Sequence, residues 1–210
     1  TDPGTIIISG ISEADAYSVT FSTPCDDQNV SGPAPACDPP PSLVINEILA
    51  DPDAGTGDAN GDLSVNTTQD EFVEIINTAA FALNVSGWTI NDLSQVRHVF
   101  PPGTVIEPSC GILVFGGGAP NGIFGGMPWQ TASTGSLALN NSPGDQVSVM
   151  NGATVVVSYA YGIEGNNNNS ITRDPDLTGI DPLVEHTLAS TSGGAQFSPG
   201  TNADGTAFSG

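Results

Sequence analysis

The sequence predicts an all-β protein, and three observations carry that prediction. Short apolar runs rich in Val, Ile and Phe recur along the chain, turn chemistry separates them, and no stretch shows a sustained helical period. The 26 glycines and 17 prolines favour turns over helices in the same way. Many short strands with regular punctuation imply a two-layer sandwich or a barrel.

From the amino end, Thr5-Ile6-Ile7-Ile8-Ser9 and residues 17–22 (YSVTFS) read as two strands joined by the turn-forming GISEADA. Cys25 and Cys37 bound the loop PCDDQNVSGPAPACDPP, whose Pro, Gly and Ser content marks a surface excursion. A disulfide between them fits an oxidising compartment. Residues 1–41 thus form an amino-terminal hairpin and loop ending in the stiff linker Asp38-Pro39-Pro40-Pro41. Two strands do not make a stable domain alone. They must pack on the following domain, on another subunit, or on a neighbour beyond this chain.

Residues 42–210 form the main domain, organised around LVINEIL (43–49) and FVEII (72–76). Both runs are too short for an ordinary helix and rich in β-branched residues, so both read as strands. Further strands are expected at 88–90, 96–100, 104–106, 112–115, 136–139, 146–150 and 155–161, divided by turns such as Pro101-Pro102-Gly103 and Ser142-Pro143-Gly144-Asp145. Asn151-Gly152 is the clearest hairpin signal. The tail from Gly162, with its run of asparagines at 166–169, reads as an irregular surface excursion.

Net charge is −21, with two arginines (Arg97, Arg173) and no lysine. That balance repels phosphate backbones and anionic lipid, which argues against a nucleic-acid partner. No segment has the length of a membrane span, and the amino terminus lacks a signal-peptide pattern. With the paired cysteines, the reading is extracellular.

Between the first two strands of the main domain lies a loop, 51–71, carrying Asp51, Asp53, Asp58, Asn60, Asp62, Asp70 and Glu71. Asp58-Ala-Asn60-Gly-Asp62 has the alternating spacing that sets three oxygen side chains around a calcium ion. It departs from an EF-hand because Leu63 stands where the sharp-turn glycine belongs and no Glu follows at the twelfth position. The competing reading is a solvated acidic turn. Glu47 and Glu74 lie inside the opening strands; paired carboxylates suit glycoside hydrolysis, but strand carboxylates also bind loop amides. His98 and His186 lack the neighbours of a triad or zinc site, and the FGGGAPNGIFGG run precedes neither helix nor lysine, so no phosphate cradle is expected. Trp88 reads as core, Cys110 as a buried thiol, and Trp129 as an exposed aromatic able to contact a sugar or a partner. No catalytic constellation emerges.

The ordered motifs VINEILADP, DEFVEIIN, LNVSGWTIND, FPPGTVIEPSCGILVFG and GSLALNNSPGDQVSVMNGATVVVSYAYG resemble the lamin-tail domain of secreted bacterial type, and SPGTN near the end resembles that family's closing Pro-Gly-x-Asn. The resemblance spans roughly 43–202 and implies an Ig-like β-sandwich serving as a non-catalytic module. The segment GTIIISGISEADAYSVTFS is similar to the closing hairpin of Ig-like repeats in bacterial surface proteins. The expected role is a structural assembly module, calcium-stabilised, in which Thr5 to Ser9 pairs with an exposed sheet edge of the next subunit to build a filament or surface layer. The alternative is an adhesin or carbohydrate-binding accessory module, with Trp129 at the contact.

Overall fold

The computed structural model describes residues 19–21, 28–30 and 43–208. The chain separates into two compact units, Thr1–Pro40 and Pro41–Gly210. In the first, β1 (Val19–Phe21) pairs antiparallel with β2 (Gln28–Val30). The second strand falls between the two cysteines, in a stretch expected to be loop. The Thr5 to Ser9 strand and the Cys25–Cys37 disulfide lie outside the described residues.

The second unit is an Ig-like β-sandwich. A six-stranded sheet has the order β10 (Trp129–Thr131), β9 (Gly111–Phe115), β4 (Phe72–Asn77), β3 (Leu43–Leu49), β13 (Ile171–Thr172), β14 (Val184–Glu185). Every pairing in it is antiparallel except β10 with β9. The four-stranded sheet runs β12 (Thr154–Tyr161), β11 (Asp145–Asn151), β6 (Thr89–Asn91), β7 (Val96–Val99). A small ribbon joins β5 (Leu83–Asn84) to β8 (Val105–Ile106).

Strand periodicity places the core. Ile45, Ile48, Val73, Ile75, Ile112 and Val114 meet Ile90, Val147, Val149, Tyr159 and Tyr161 between the sheets, with Trp88 and Phe100. The alternate residues Leu49, Phe72, Ile76, Leu113 and Phe115 form a second cluster with Phe124 and Met127. The central strands β3, β4 and β9 of the six-stranded sheet are therefore buried on both faces. This explains why β4 and β9 read as continuous apolar runs instead of alternating ones.

Several local expectations need correction. The hairpin between β11 and β12 turns on Gly152-Ala153, one residue later than expected, because the register pairs Asn151 with Thr154. Gly152 has φ +58, the positive value that a two-residue loop with glycine first requires. Residues 136–139 form no strand; Ala138 has φ +47, which breaks the extended run. Trp129 sits on the short strand β10, where no strand was expected. Cys110 is free and half-buried, not fully enclosed.

Most consequential is the tail. It is largely irregular, yet β13 and β14 extend the main sheet, and His186 and Ser170 are fully buried within it. Among the described residues, no helix is long and apolar enough to cross a membrane.

Candidate functional site

The densest polar cluster lies where the tail crosses β3 and β4. Glu47 and Glu74 stand directly opposite each other in the β3–β4 ladder, so both project to the same face. Both are completely buried, as is Asn46. A buried carboxylate needs partners, and the tail supplies them. Gly200 N–H donates to Glu74 Oε2 at 2.7 Å, and Asn46 Nδ2 donates to Glu74 Oε1 at 2.8 Å. Glu47 Oε1 accepts from the Ser198 amide at 3.0 Å and from the Ser170 hydroxyl. Asn46 Oδ1 accepts from Leu177 N–H at 2.8 Å, and the Asp176 carboxylate accepts from the Ala203 amide at 3.0 Å.

Ser198 and His186 extend this network. Ser198 Oγ donates to Glu47 Oε2 at 2.9 Å and lies 2.8 Å from His186 Nε2. The other ring nitrogen, Nδ1, lies 2.8 Å from the Ala195 carbonyl, which only accepts, so Nδ1 carries a proton. The Ser198 hydroxyl is a relay between His186 and Glu47. Its oxygen links all three buried groups in one hydrogen-bond chain. Burial pushes the Glu47 carboxyl up, while His186, Ser170 and Ser198 pull it back. Burial, and then the facing Glu47, pushes Glu74 well above the ordinary range.

A serine beside a histidine invites comparison with a hydrolytic triad. Here the histidine is oriented by a backbone carbonyl, and the carboxylate binds the serine instead of Nδ1. His186 is completely buried and Ser198 nearly so. This set fastens the tail to the sheet. The Glu47 and Glu74 carboxylates do bind loop amides, as one of the two sequence readings held; His186, Ser170 and Ser198 were not legible as their partners.

The acidic loop is divided by the fold. Asp58, Asn60, Asp62 and Asp70 come together. Asp58 Oδ1 accepts from Asp62 N–H at 3.1 Å and its Oδ2 from Leu63 N–H at 3.0 Å. Asn60 Oδ1 accepts from Asp62 N–H at 2.9 Å, and Asp62 Oδ1 from Ser64 N–H at 3.0 Å. The buried Asp70 accepts from the Asn60 and Asn66 amides, and its carboxyl is raised by burial, with Asp58 and Asp62 adding to the rise. Leu63 adopts φ +70, the left-handed conformation that a glycine provides at the sixth place of a calcium loop.

The remaining three candidates are engaged elsewhere. Asp51 accepts from Asn141 Nδ2 and the Asn168 amide, whereas Asp53 accepts from Gly55 and Thr56. Glu71 accepts from the Leu139 amide, and burial pushes its carboxyl up to about 8. Among the described residues, no three His, Cys, Asp or Glu side chains are placed to hold a metal ion.

Trp129 is 43% exposed and lines an open groove of about 400 Å³ with Val99, Pro101, Thr131 and Ser133. His98 closes its floor, with Nε2 2.8 Å from Gln130 Oε1 and a ring pKa lowered by burial.

Compared with known proteins, residues 38–163 match a family described as Lamin Tail Domain, more than half of the chain. That span stops before β13, so the tail completing the six-stranded sheet lies outside it. No curated protein matches the sequence.

Proposed function

The chain belongs to the lamin tail domain family, and on that footing we propose that it is a non-catalytic extracellular assembly module, the repeating subunit of a filament or surface layer. One observation carries this reading. The buried ionisable groups that catalysis would need, Glu47, Glu74 and His186, are all committed to hydrogen bonds with the chain's own tail. The second unit builds its Ig-like sandwich from its own strands, and the proposal gives the segment Thr5 to Ser9 the role of pairing with a neighbour. An extracellular setting suits the Cys25 and Cys37 pair and the scarcity of lysine and arginine, which leaves trypsin-like proteases few sites.

Electron microscopy of the purified chain beside a chain lacking residues 1–24 tests it. Polymers are expected from the first and monomers from the second. Full-length polymers from the truncated chain would reject strand donation, and monomers from both would reject assembly.

Calcium is proposed as the stabiliser of the acidic loop. Its support is the coiling of the loop around Asp58, Asn60 and Asp62, and the left-handed Leu63. Added calcium at about 100 times its Kd would raise stability by about 2.7 kcal/mol. A melting temperature indifferent to calcium and to chelator would remove it.

The exposed Trp129 beside Thr131 and Ser133 favours a second reading, a glycan-binding accessory module. Glycan-array signal lost in Trp129→Ala, without loss of folding, would favour it over assembly.

A further inference from the structure

A strand-donation filament needs an acceptor, and the sandwich offers four sheet edges. Three are short or already occupied. β14 is two residues long and ends in Glu185. β10 has three residues. β7 has four, and its outer side is taken: Val99 N–H donates to Ser133 Oγ at 2.9 Å, while the Arg97 carbonyl accepts from Thr134 N–H and Oγ1.

β12 is different. It has eight residues, TVVVSYAY, with neither charge nor proline. Beyond the ladder with β11, its backbone groups make no hydrogen bond among the described residues. Lysine, proline and short length are the usual protections of such an edge, and β12 has none of them. Its one irregularity is a bulge: Val149 pairs with Val157 and Met150 with Val155, which leaves Val156 as the extra residue. The bulge isolates a regular stretch from Val157 to Tyr161.

We infer that β12 is the acceptor edge, and that its occupant is the segment Thr5 to Ser9 of a second copy of this chain. The inference rests on the assembly reading and names the surface that reading requires. The sequence of the segment fits the edge in three ways. It is five residues long, the length of the regular stretch beyond the bulge. It is uncharged in a chain of net charge −21, whose other surfaces repel a second copy. Three consecutive isoleucines give it high strand propensity, and its added ladder would satisfy the open N–H and C=O groups of β12.

The arrangement joins the amino-terminal strand of one copy to the carboxyl half of the sandwich in the next. Donor and acceptor are different surfaces, so the contact is heterologous and propagates instead of closing as a pair.

Cross-linking in the full-length chain tests the assignment. In a Cys110→Ser background, Ile6→Cys or Ile7→Cys, one for each face of the donor strand, is combined with Ser158→Cys or Ala160→Cys; both acceptor positions are exposed. Opposed residues in adjacent strands bring Cβ atoms close enough for a disulfide. Oxidation is expected to give an intermolecular ladder on a non-reducing gel. Peptide mapping should join position 6 or 7 to position 158 or 160, and a matched set with Val99→Cys on β7 should give none. Wild-type polymers whose variants lack that linkage, or link at position 99, would overturn the acceptor while leaving assembly standing. A Ser158→Cys chain with no donor cysteine that dimerises through position 158 would make β12 its own partner and overturn the donor. Absence of polymers from the wild-type chain would overturn this inference together with the reading beneath it.

Discussion

Substituting Ser198 by alanine tests whether the tail is fastened by the buried relay. The change removes one oxygen that serves two groups, donating to Glu47 Oε2 at 2.9 Å and meeting His186 Nε2 at 2.8 Å. Both partners are completely buried, so neither can recruit bulk water in exchange. A buried polar group left without its partner costs about 1–3 kcal/mol. Glu47 keeps the Ser198 amide and the Ser170 hydroxyl, and His186 keeps the Ala195 carbonyl, so the lower half of that range applies to each. The sum is about 3 kcal/mol. For a domain of this size about 1 kcal/mol moves Tm by about 2–4 °C, giving a fall of about 6–12 °C. Urea unfolding followed by tryptophan fluorescence measures the free energy, and a scanning melt measures the shift. Hydrogen exchange should show the loss first in the tail amides of Ser198 and Gly200. A change below about 0.5 kcal/mol, within the range of ordinary surface substitutions, would refute the argument. So would loss of protection confined to the acidic loop.

The remaining predictions concern the same interior and the loop beside it. Gly200→Ala should destabilise by more than about 2 kcal/mol, because Gly200 has φ +81 and an added Cβ would overlap the Phe124 carbonyl; a wild-type melt would show that the closing turn is not packed as described. Stability should fall as pH rises from about 4.5 to about 8. Glu71 is held up to about 8 by burial, so it stays protonated in the fold where an unfolded glutamate has already lost its proton. Unfolding in that window releases protons, and Glu47 and Glu74 act in the same direction. At the acid end the sign reverses: Asp53 is lowered by the Gly55 amide and Asp174 by the Ser190 hydroxyl, so their contributions vanish as pH drops through their folded values. A melt series rising monotonically from pH 5 to 8 would contradict this account. At the loop, Asp58→Ala should cost about 1 kcal/mol without metal, by freeing the Asp62 and Leu63 amides. It should also abolish any calcium-dependent rise in Tm; a rise that survives would place the ion elsewhere.

Much of the fold was legible because strand signals are local. LVINEIL, FVEIIN and TVVVSYAY declare themselves through β-branching and bounding turns, and each forms the strand expected of it to within a residue or two. What failed depended on distant partners. The 136–139 run is apolar enough for a strand, but it is held by the Glu71 carboxylate and turns through a left-handed Ala138. Trp129 to Thr131 is only three residues, and β9 beside it makes it a strand. In the acidic loop the alternating oxygens were visible, whereas the engagement of Asp51 and Glu71 depended on Asn141 and Leu139 arriving from other segments; Asp53 is held within the loop itself, by Gly55 and Thr56.

The sequence by itself determined an all-β chain of strongly acidic composition, an alternating Asp-Asn-Asp motif in its acidic loop and too few arginines and lysines to pair with its carboxylates. Periodicity, composition and spacing are properties of neighbouring residues, so one segment at a time reveals them. Tertiary structure alone decided that Glu47 and Glu74 would be buried, that a tail without regular pattern would supply their donors, and that β12 would lie at the end of its sheet. Those outcomes rest on hydrogen bonds across as many as 151 residues, and no local signal encodes which remote amide will satisfy a buried carboxylate.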